Sequence, residues 1–180
     1  MKATGIVRRI DELGRVVIPK EIRRTQRIRQ GDTLEIFTAA DGEVVFKKYS
    51  PLVELGQISA VYTDVLAKSL GCTVLVCDRA RIMAASGSGK NEMMDRDISP
   101  ETEHLLAART IYTAPENAAR RLRLFERGER LVLCAAPIVA HGDVEGAVLL
   151  PGMARDPVPR PETVQAIATA ASFLSRWMEE

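Results

Sequence analysis

Aromatic residues are scarce in this 180-residue chain, at 4% of the total. Any core must therefore be built mainly from Val, Ile, Leu and Ala, which the 46% apolar content can supply. Cysteine is nearly absent too. Cys72, Cys77 and Cys134 are odd in number and lack CxxC spacing, and only His104 and His141 are there to join them. That pattern argues against a zinc site or a disulfide framework and predicts three small, buried, reduced strand residues. Long apolar runs are missing. The longest, Leu131 to Ala140, is about half of a membrane span and is broken by Pro137. Met1-Lys2 is followed by polar and charged residues rather than an apolar leader, so the expectation is a cytoplasmic protein with no membrane partner. Neither sign of charge is in excess, the net being +1 with 27% charged residues.

That balance hides a local imbalance. Between Met1 and Gln30 stand Lys2, Arg8, Arg9, Arg15, Lys20, Arg23, Arg24, Arg27 and Arg29, against Asp11, Glu12 and Glu21. Nine bases less three acids leave +6 there, so the remainder carries −5. A concentration of charge this local is the footprint expected for a polyanionic partner. A solvated basic face is the bland alternative, but these arginines fall at turns and on a short helix between apolar segments, where a scaffold can present them.

The first fifty residues alternate strands and turns. Thr4 to Ile10 reads as a strand, Asp11 to Gly14 as a turn, and Arg15 to Ile18 as a second strand. Pro19 suits the first position of a helix over Lys20 to Arg27, with Lys20, Arg24 and Arg27 on one face, Arg23 beside them and Ile22 turned toward a core. Thr33 to Thr38 and Glu43 to Tyr49 read as a hairpin closed at Asp41-Gly42. So small a unit rarely closes a core alone. Ile6, Val7, Ile10, Val16, Val17, Ile18, Leu34, Ile36, Val44, Val45 and Phe46 need more surface, and a second copy would supply it.

Gly5-Ile6-Val7-Arg8-Arg9-Ile10-Asp11, then Leu13-Gly14-Arg15-Val16-Val17-Ile18-Pro19, Glu21-Ile22-Arg23-Arg24, Ile28, Gly31-Asp32 and Leu34-Glu35-Ile36 resemble the AbrB-type swapped-hairpin DNA-binding family. Gln26 departs from the family pattern, which has an apolar residue there. The resemblance implies a mainly-β swapped-hairpin barrel over residues 1–50, formed by a homodimer that binds double-stranded DNA. It implies that Arg8, Arg15, Arg23 and Arg24 contact DNA, with Lys2, Arg9 and Lys20 as helpers. Arginine gives planar, bidentate contacts to phosphates and guanine edges. With no long recognition helix, phosphate contacts and DNA shape are expected to weigh heavily.

Residues 51–180 read as helix, strands, helix, strands, helix, an α+β pattern. The helices are expected over Leu52 to Leu70, Ser99 to Arg109 with Ser99 as N-cap, and Pro161 to Met178. Strands are expected over Cys72 to Asp78, Arg81 to Ala85, Arg130 to Ala140 and Val144 to Pro151, with a loop over Ser86 to Asp95 and a short strand over Leu122 to Phe125. This order resembles a GAF- or PAS-like regulatory domain. The combination with an AbrB-type domain resembles a family of regulators of late, forespore-specific sporulation genes, which activate at some promoters and repress at others. The cyclic-nucleotide GAF signature and the bilin Cys-His pair are both missing, so no cofactor is implied. Two roles stay open for this domain: an unknown small-molecule ligand near the Ser86 to Asp95 loop, or tetramerisation through its first and last helices.

Ser86-Gly87-Ser88-Gly89-Lys90 is the one hint of phosphate chemistry, but a P-loop would need Gly where Ala84 stands and a hydroxyl where Asn91 stands. No catalytic set emerges, and the expectation is a protein that is not an enzyme. The rivals to a regulator are an autoregulating antitoxin, whose tail would be disordered rather than periodic, and a small-molecule sensor or enzyme with an accessory basic arm.

Overall fold

The computed structural model describes residues 4–26, 28, 30–48 and 56–179. The chain divides into two compact units, Met1–Tyr49 and Ser50–Glu180.

In the first unit an extended segment, residues 4–10, leads into the turn at Asp11 and a second extended segment over residues 15–19. The turn is closed by Gly14 N–H donating to the Asp11 carbonyl at 3.0 Å, with Gly14 at φ +74°. Neither segment joins a ladder among the described residues, which corrects the expectation of two strands here. Helix α1 (Lys20–Thr25) follows, one turn and a half long, with Pro19 just before it rather than at its first position. Strands β1 (Leu34–Thr38) and β2 (Val44–Lys48) form the expected hairpin, with Gly42 at φ +84° in its turn. Ile36 lies opposite Phe46 and Thr38 opposite Val44, so Ile36, Val44 and Phe46 share one face. All three are exposed.

The second unit is a five-stranded antiparallel sheet in the order β4-β3-β7-β6-β5. Its strands are β3 (Val74–Asp78), β4 (Ile82–Ser86), β5 (Tyr112–Thr113), β6 (Leu131–Ala140) and β7 (Asp143–Gly152). Alternation along β3 sends Val74 and Val76 to one face, Leu75 and Cys77 to the other. Helices α2 (Gly56–Leu70) and α5 (Pro161–Trp177) cover the first face through Ala67, Ile167, Ala170, Ala171 and Leu174. The second face packs on Met93, Ile98, Leu106, Leu124 and Phe125. These come from two short helices, α3 (Lys90–Met93) and α4 (Pro100–Ala107), and the segments beside them. With both faces covered, β3 is buried along nearly its whole length.

Ser99 caps α4 as expected: its hydroxyl accepts from Thr102 N–H at 3.0 Å. The Thr102 hydroxyl donates to the Arg123 carbonyl at 2.8 Å, tying α4 to the 121–125 segment. That segment is not the expected strand. Arg123 makes one bridge to Leu131, while Leu124 and Phe125 turn into the core. The Ser86 to Asp95 stretch likewise is not all loop, because α3 lies inside it and buries Met93. Cys77 and Cys134 are buried strand residues, but Cys72 precedes β3 and is half-exposed, contrary to expectation. Burial raises the Cys134 thiol to about 11 and Cys77 further still.

Arg121 is buried with carbonyl acceptors around it. Its Nε donates to the Pro115 carbonyl at 3.0 Å and its Nη1 to the Asp156 carbonyl at 2.7 Å. The guanidinium thereby joins the loop after β5 to the connection between β7 and α5. Arg121→Ala is expected to destabilise this unit by about 1–3 kcal/mol, since a charge-assisted pair of bonds is lost and partly buried carbonyls lose their donor. Calorimetry would show the shift in the second unit's transition, and an unchanged midpoint would contradict it.

Candidate nucleic-acid interface

The basic residues of the first unit sit on three supports. Arg8 and Arg9 are on the first extended segment, and both are exposed. Arg8 Nη1 turns back to donate to the Val7 carbonyl at 3.1 Å. Arg15 sits at the exit of the turn. Lys20, Arg23 and Arg24 are on α1, where Lys20 and Arg24 are one turn apart and exposed. Arg23 is only half-exposed, and its Nε is buried without a hydrogen-bond partner among the described residues. Lys2 and Arg27 lie outside the described residues. Three supports close together in sequence thus carry all the described members of the predicted set.

Arg15 is the most constrained of them. Its Nε lies 2.7 Å from Asp11 Oδ2, and both side chains remain substantially exposed. Asp11 Oδ1 accepts the backbone N–H of Arg15 at 2.8 Å and that of Leu13 at 3.0 Å. These bonds hold the Asp11 carboxyl below its ordinary range, first through the Arg15 N–H and then through its guanidinium. Sequence reasoning counted Asp11 only as a turn acid. The usable signal was its spacing, an acid four residues before an arginine across a glycine turn.

The same unit presents apolar side chains to solvent. Val7 is 84% exposed, Leu13 74%, Val17 70% and Ile10 69%. They flank the arginines and add to the bare face of the β1–β2 hairpin. So many large apolar side chains left exposed in so small a unit, interleaved in sequence with arginines, point to a surface that a partner covers.

In the second unit, an open groove beside α2 and the end of β4 has a volume of about 340 Å³. Its walls include Asp64, Lys68, Cys72, Thr73, Ser86 and Ser88. Asp64 accepts from the Ser86 hydroxyl at 3.0 Å and pairs with Lys68 Nζ at 2.6 Å, which holds its carboxyl below the usual range. Elsewhere, Tyr62 of α2 stacks on Phe173 of α5 at 4.8 Å, and Phe173 meets Trp177 at 5.9 Å. Phe173, Trp177, Val61 and Val65 are all exposed. No described helix is long and apolar enough to cross a membrane.

Residues 54–179 match the family described as stage V sporulation protein T C-terminal, transcription factor. Residues 7–52 match the family described as antidote-toxin recognition MazE, bacterial antitoxin. Over 182 aligned residues, covering 100% of each chain, the sequence is 48% identical to stage V sporulation protein T of Bacillus subtilis. It is also 48% identical to the transition state regulatory protein AbrB of the same organism, over 75 residues that cover 42% of this chain and 77% of that one. Among solved structures, the GAF domain of the Acinetobacter phosphoenolpyruvate-protein phosphotransferase aligns with a TM-score of 0.52 at 15% identity, covering 69% of this chain and 81% of that one. The antitoxin likeness stops at residue 52, and the folded remainder follows the transcription-factor family instead.

Proposed function

The chain belongs to the stage V sporulation protein T family of sporulation transcription regulators, and we propose that it binds double-stranded DNA through arginines that two copies of its AbrB-type unit present together. The observation that carries this is the pairing of charge with bare apolar surface in residues 4–48. Val7, Ile10, Leu13 and Val17 are too exposed for a unit of this size to be stable alone, and they lie between the arginines. Covering them with a second copy by exchange of the extended arms gives each arm a ladder partner and doubles the basic array by two-fold symmetry. Arg8, Arg15, Arg23 and Arg24 are the contacting residues, with Lys2, Arg9 and Lys20 assisting. The set of promoters is late and forespore-specific, activated at some sites and repressed at others.

Light scattering and duplex titration on the intact chain and on residues 1–52 test this. The shorter piece is expected to dimerise and hold DNA. A monomer, or a protein that ignores duplexes at low salt, would end the proposal.

The apolar flank of α2 and α5 supports a further step of assembly, a tetramer of two DNA-binding dimers. Linking two sites in this way raises avidity without new contacts to DNA. Phe173→Glu combined with Trp177→Glu is expected to halve the mass of the intact particle while residues 1–52 bind as before. Sedimentation equilibrium checks the mass, and a tetramer that survives both charges places the interface elsewhere. A small-molecule effector of the GAF-type unit is supported by the groove beside Asp64 and Lys68, whose lining includes that ion pair with Thr73, Ser86 and Ser88.

A further inference from the structure

We propose that Asp11 is a positioning residue that makes Arg15 the base-reading arginine of the array. This rests on the DNA-binding reading above and adds to it a division of labour among the arginines.

The carboxylate of Asp11 does two separable things. Through Oδ1 it accepts two backbone N–H groups, Leu13 at 3.0 Å and Arg15 at 2.8 Å, which builds the turn. Through Oδ2 it takes the Nε of Arg15 at 2.7 Å, which holds the guanidinium. The Asp11 N–H also donates to the Arg15 carbonyl at 3.1 Å. Backbone and side chain of Arg15 are therefore fastened to one residue, and the torsions of an otherwise flexible side chain are restrained before any partner arrives. Holding a long side chain in advance lowers the ordering cost of binding.

The choice of nitrogen matters. A guanidinium offers two kinds of fork, one along Nε and Nη, one across the two Nη atoms. With Nε engaged by Asp11, the fork across the Nη atoms is the one left to a partner. That fork matches the O6 and N7 acceptors of guanine in the major groove. A fixed carboxylate next to it also disfavours a phosphate in the same place, because two anions would share one cation. Both effects push Arg15 toward base edges. Among the described residues no carboxylate holds Arg8; it folds one Nη onto its neighbour's carbonyl and suits a phosphate. The Asp11 carboxyl is held below its ordinary range, so it is ionised throughout the neutral pH range in which duplexes are bound.

Asp11→Asn separates the two roles, since an amide oxygen can still accept the turn N–H groups while the charge on the guanidinium is gone. The test uses the full chain and a pool of duplexes with a randomised 20-base-pair centre, selected by binding and then sequenced. Affinity for fixed duplexes with and without the selected guanine, and particle mass, are measured alongside. The wild-type chain is expected to enrich guanine at one position in each half-site, by about 5- to 150-fold over other bases. D11N should keep its mass, bind a fixed duplex that lacks that guanine within about threefold, and lose the enrichment together with the extra affinity for a duplex that carries it. R15K, which leaves the turn untouched, should lose it as well and carries the test if D11N fails to assemble. Adding D11N to R15A should change nothing more, whereas a purely structural Asp11 would weaken R15A further. Retained guanine enrichment in D11N or R15K, no guanine enrichment in the wild type, or additive effects in the double variant would overturn the inference. A wild-type chain that binds no duplex fails the proposed function itself, which the fixed-duplex arm reveals separately.

Discussion

Alanine at Arg8, Arg15, Arg23 and Arg24 together is expected to cut duplex affinity by about a thousandfold or more at moderate salt while the dimer persists. Each copy loses four cations, so a dimer loses eight. If the intact dimer neutralises roughly six to eight phosphates, log affinity falls with log salt at a slope near −5 to −7, and most of that slope disappears in the variant. The fold should tolerate the change. Arg8 and Arg24 are exposed, and the Arg15 guanidinium is held by Asp11, which keeps its bonds to the turn N–H groups. Arg23 is half-buried with its Nε unpartnered among the described residues, so shortening it removes a desolvated donor rather than a made bond. Gel-shift titrations across a salt series, with light scattering as the control, check the expectation. Affinity and slope matching the wild type would remove all four residues from the interface.

The elements legible in the sequence were those whose signal and partner lie in the same chain. Asp41-Gly42 between two apolar runs specifies a hairpin by turn chemistry alone, and β1 and β2 pair across it. Ser99-Pro100 specifies a helix start, and α4 begins there. His141-Gly142 both take positive φ between β6 and β7, the conformation such a turn needs. Apolar residues of α5 recur at helical spacing as Val164, Ile167, Ala171, Leu174 and Met178, and Ile167, Ala171 and Leu174 are buried.

What escaped has physical reasons. β5 is two residues long, too short to show a period, and exists because Tyr112 and Thr113 pair with Ala135 and Cys134 far along the chain. Helix α3 hides in a Gly/Ser stretch and is held by Met93 packing into a core assembled from distant residues. The arms at 4–10 and 15–19 have strand composition but no partner strand among the described residues, so composition alone could not tell paired from unpaired. At the interface, charge and resemblance picked out the arginines, but the hold of Asp11 on Arg15 depends on a turn geometry that residue types only suggest.

Val17→Asp is expected to damage DNA binding more than any single arginine substitution, because it strikes the assembly rather than one contact. Val17 is 70% exposed in one chain and, in an exchanged-arm dimer, falls where the second copy must cover it. Burying a valine side chain contributes about 1.5–3 kcal/mol. Two-fold symmetry counts that loss twice. The carboxylates add a desolvation cost of several kcal/mol per ion, and the two copies bring like charges toward one interface. Residues 4–48 hold few buried contacts of their own, so the loss of the second copy also removes what keeps the turn and α1 in register. The expected result for residues 1–52 carrying Val17→Asp is a monomer with weakened far-UV circular dichroism and no duplex binding at micromolar concentration. Val17→Ile, which preserves the apolar surface, should dimerise and bind like the wild type. A dimeric, DNA-binding Val17→Asp fragment would show that the extended arms are not where the two copies meet.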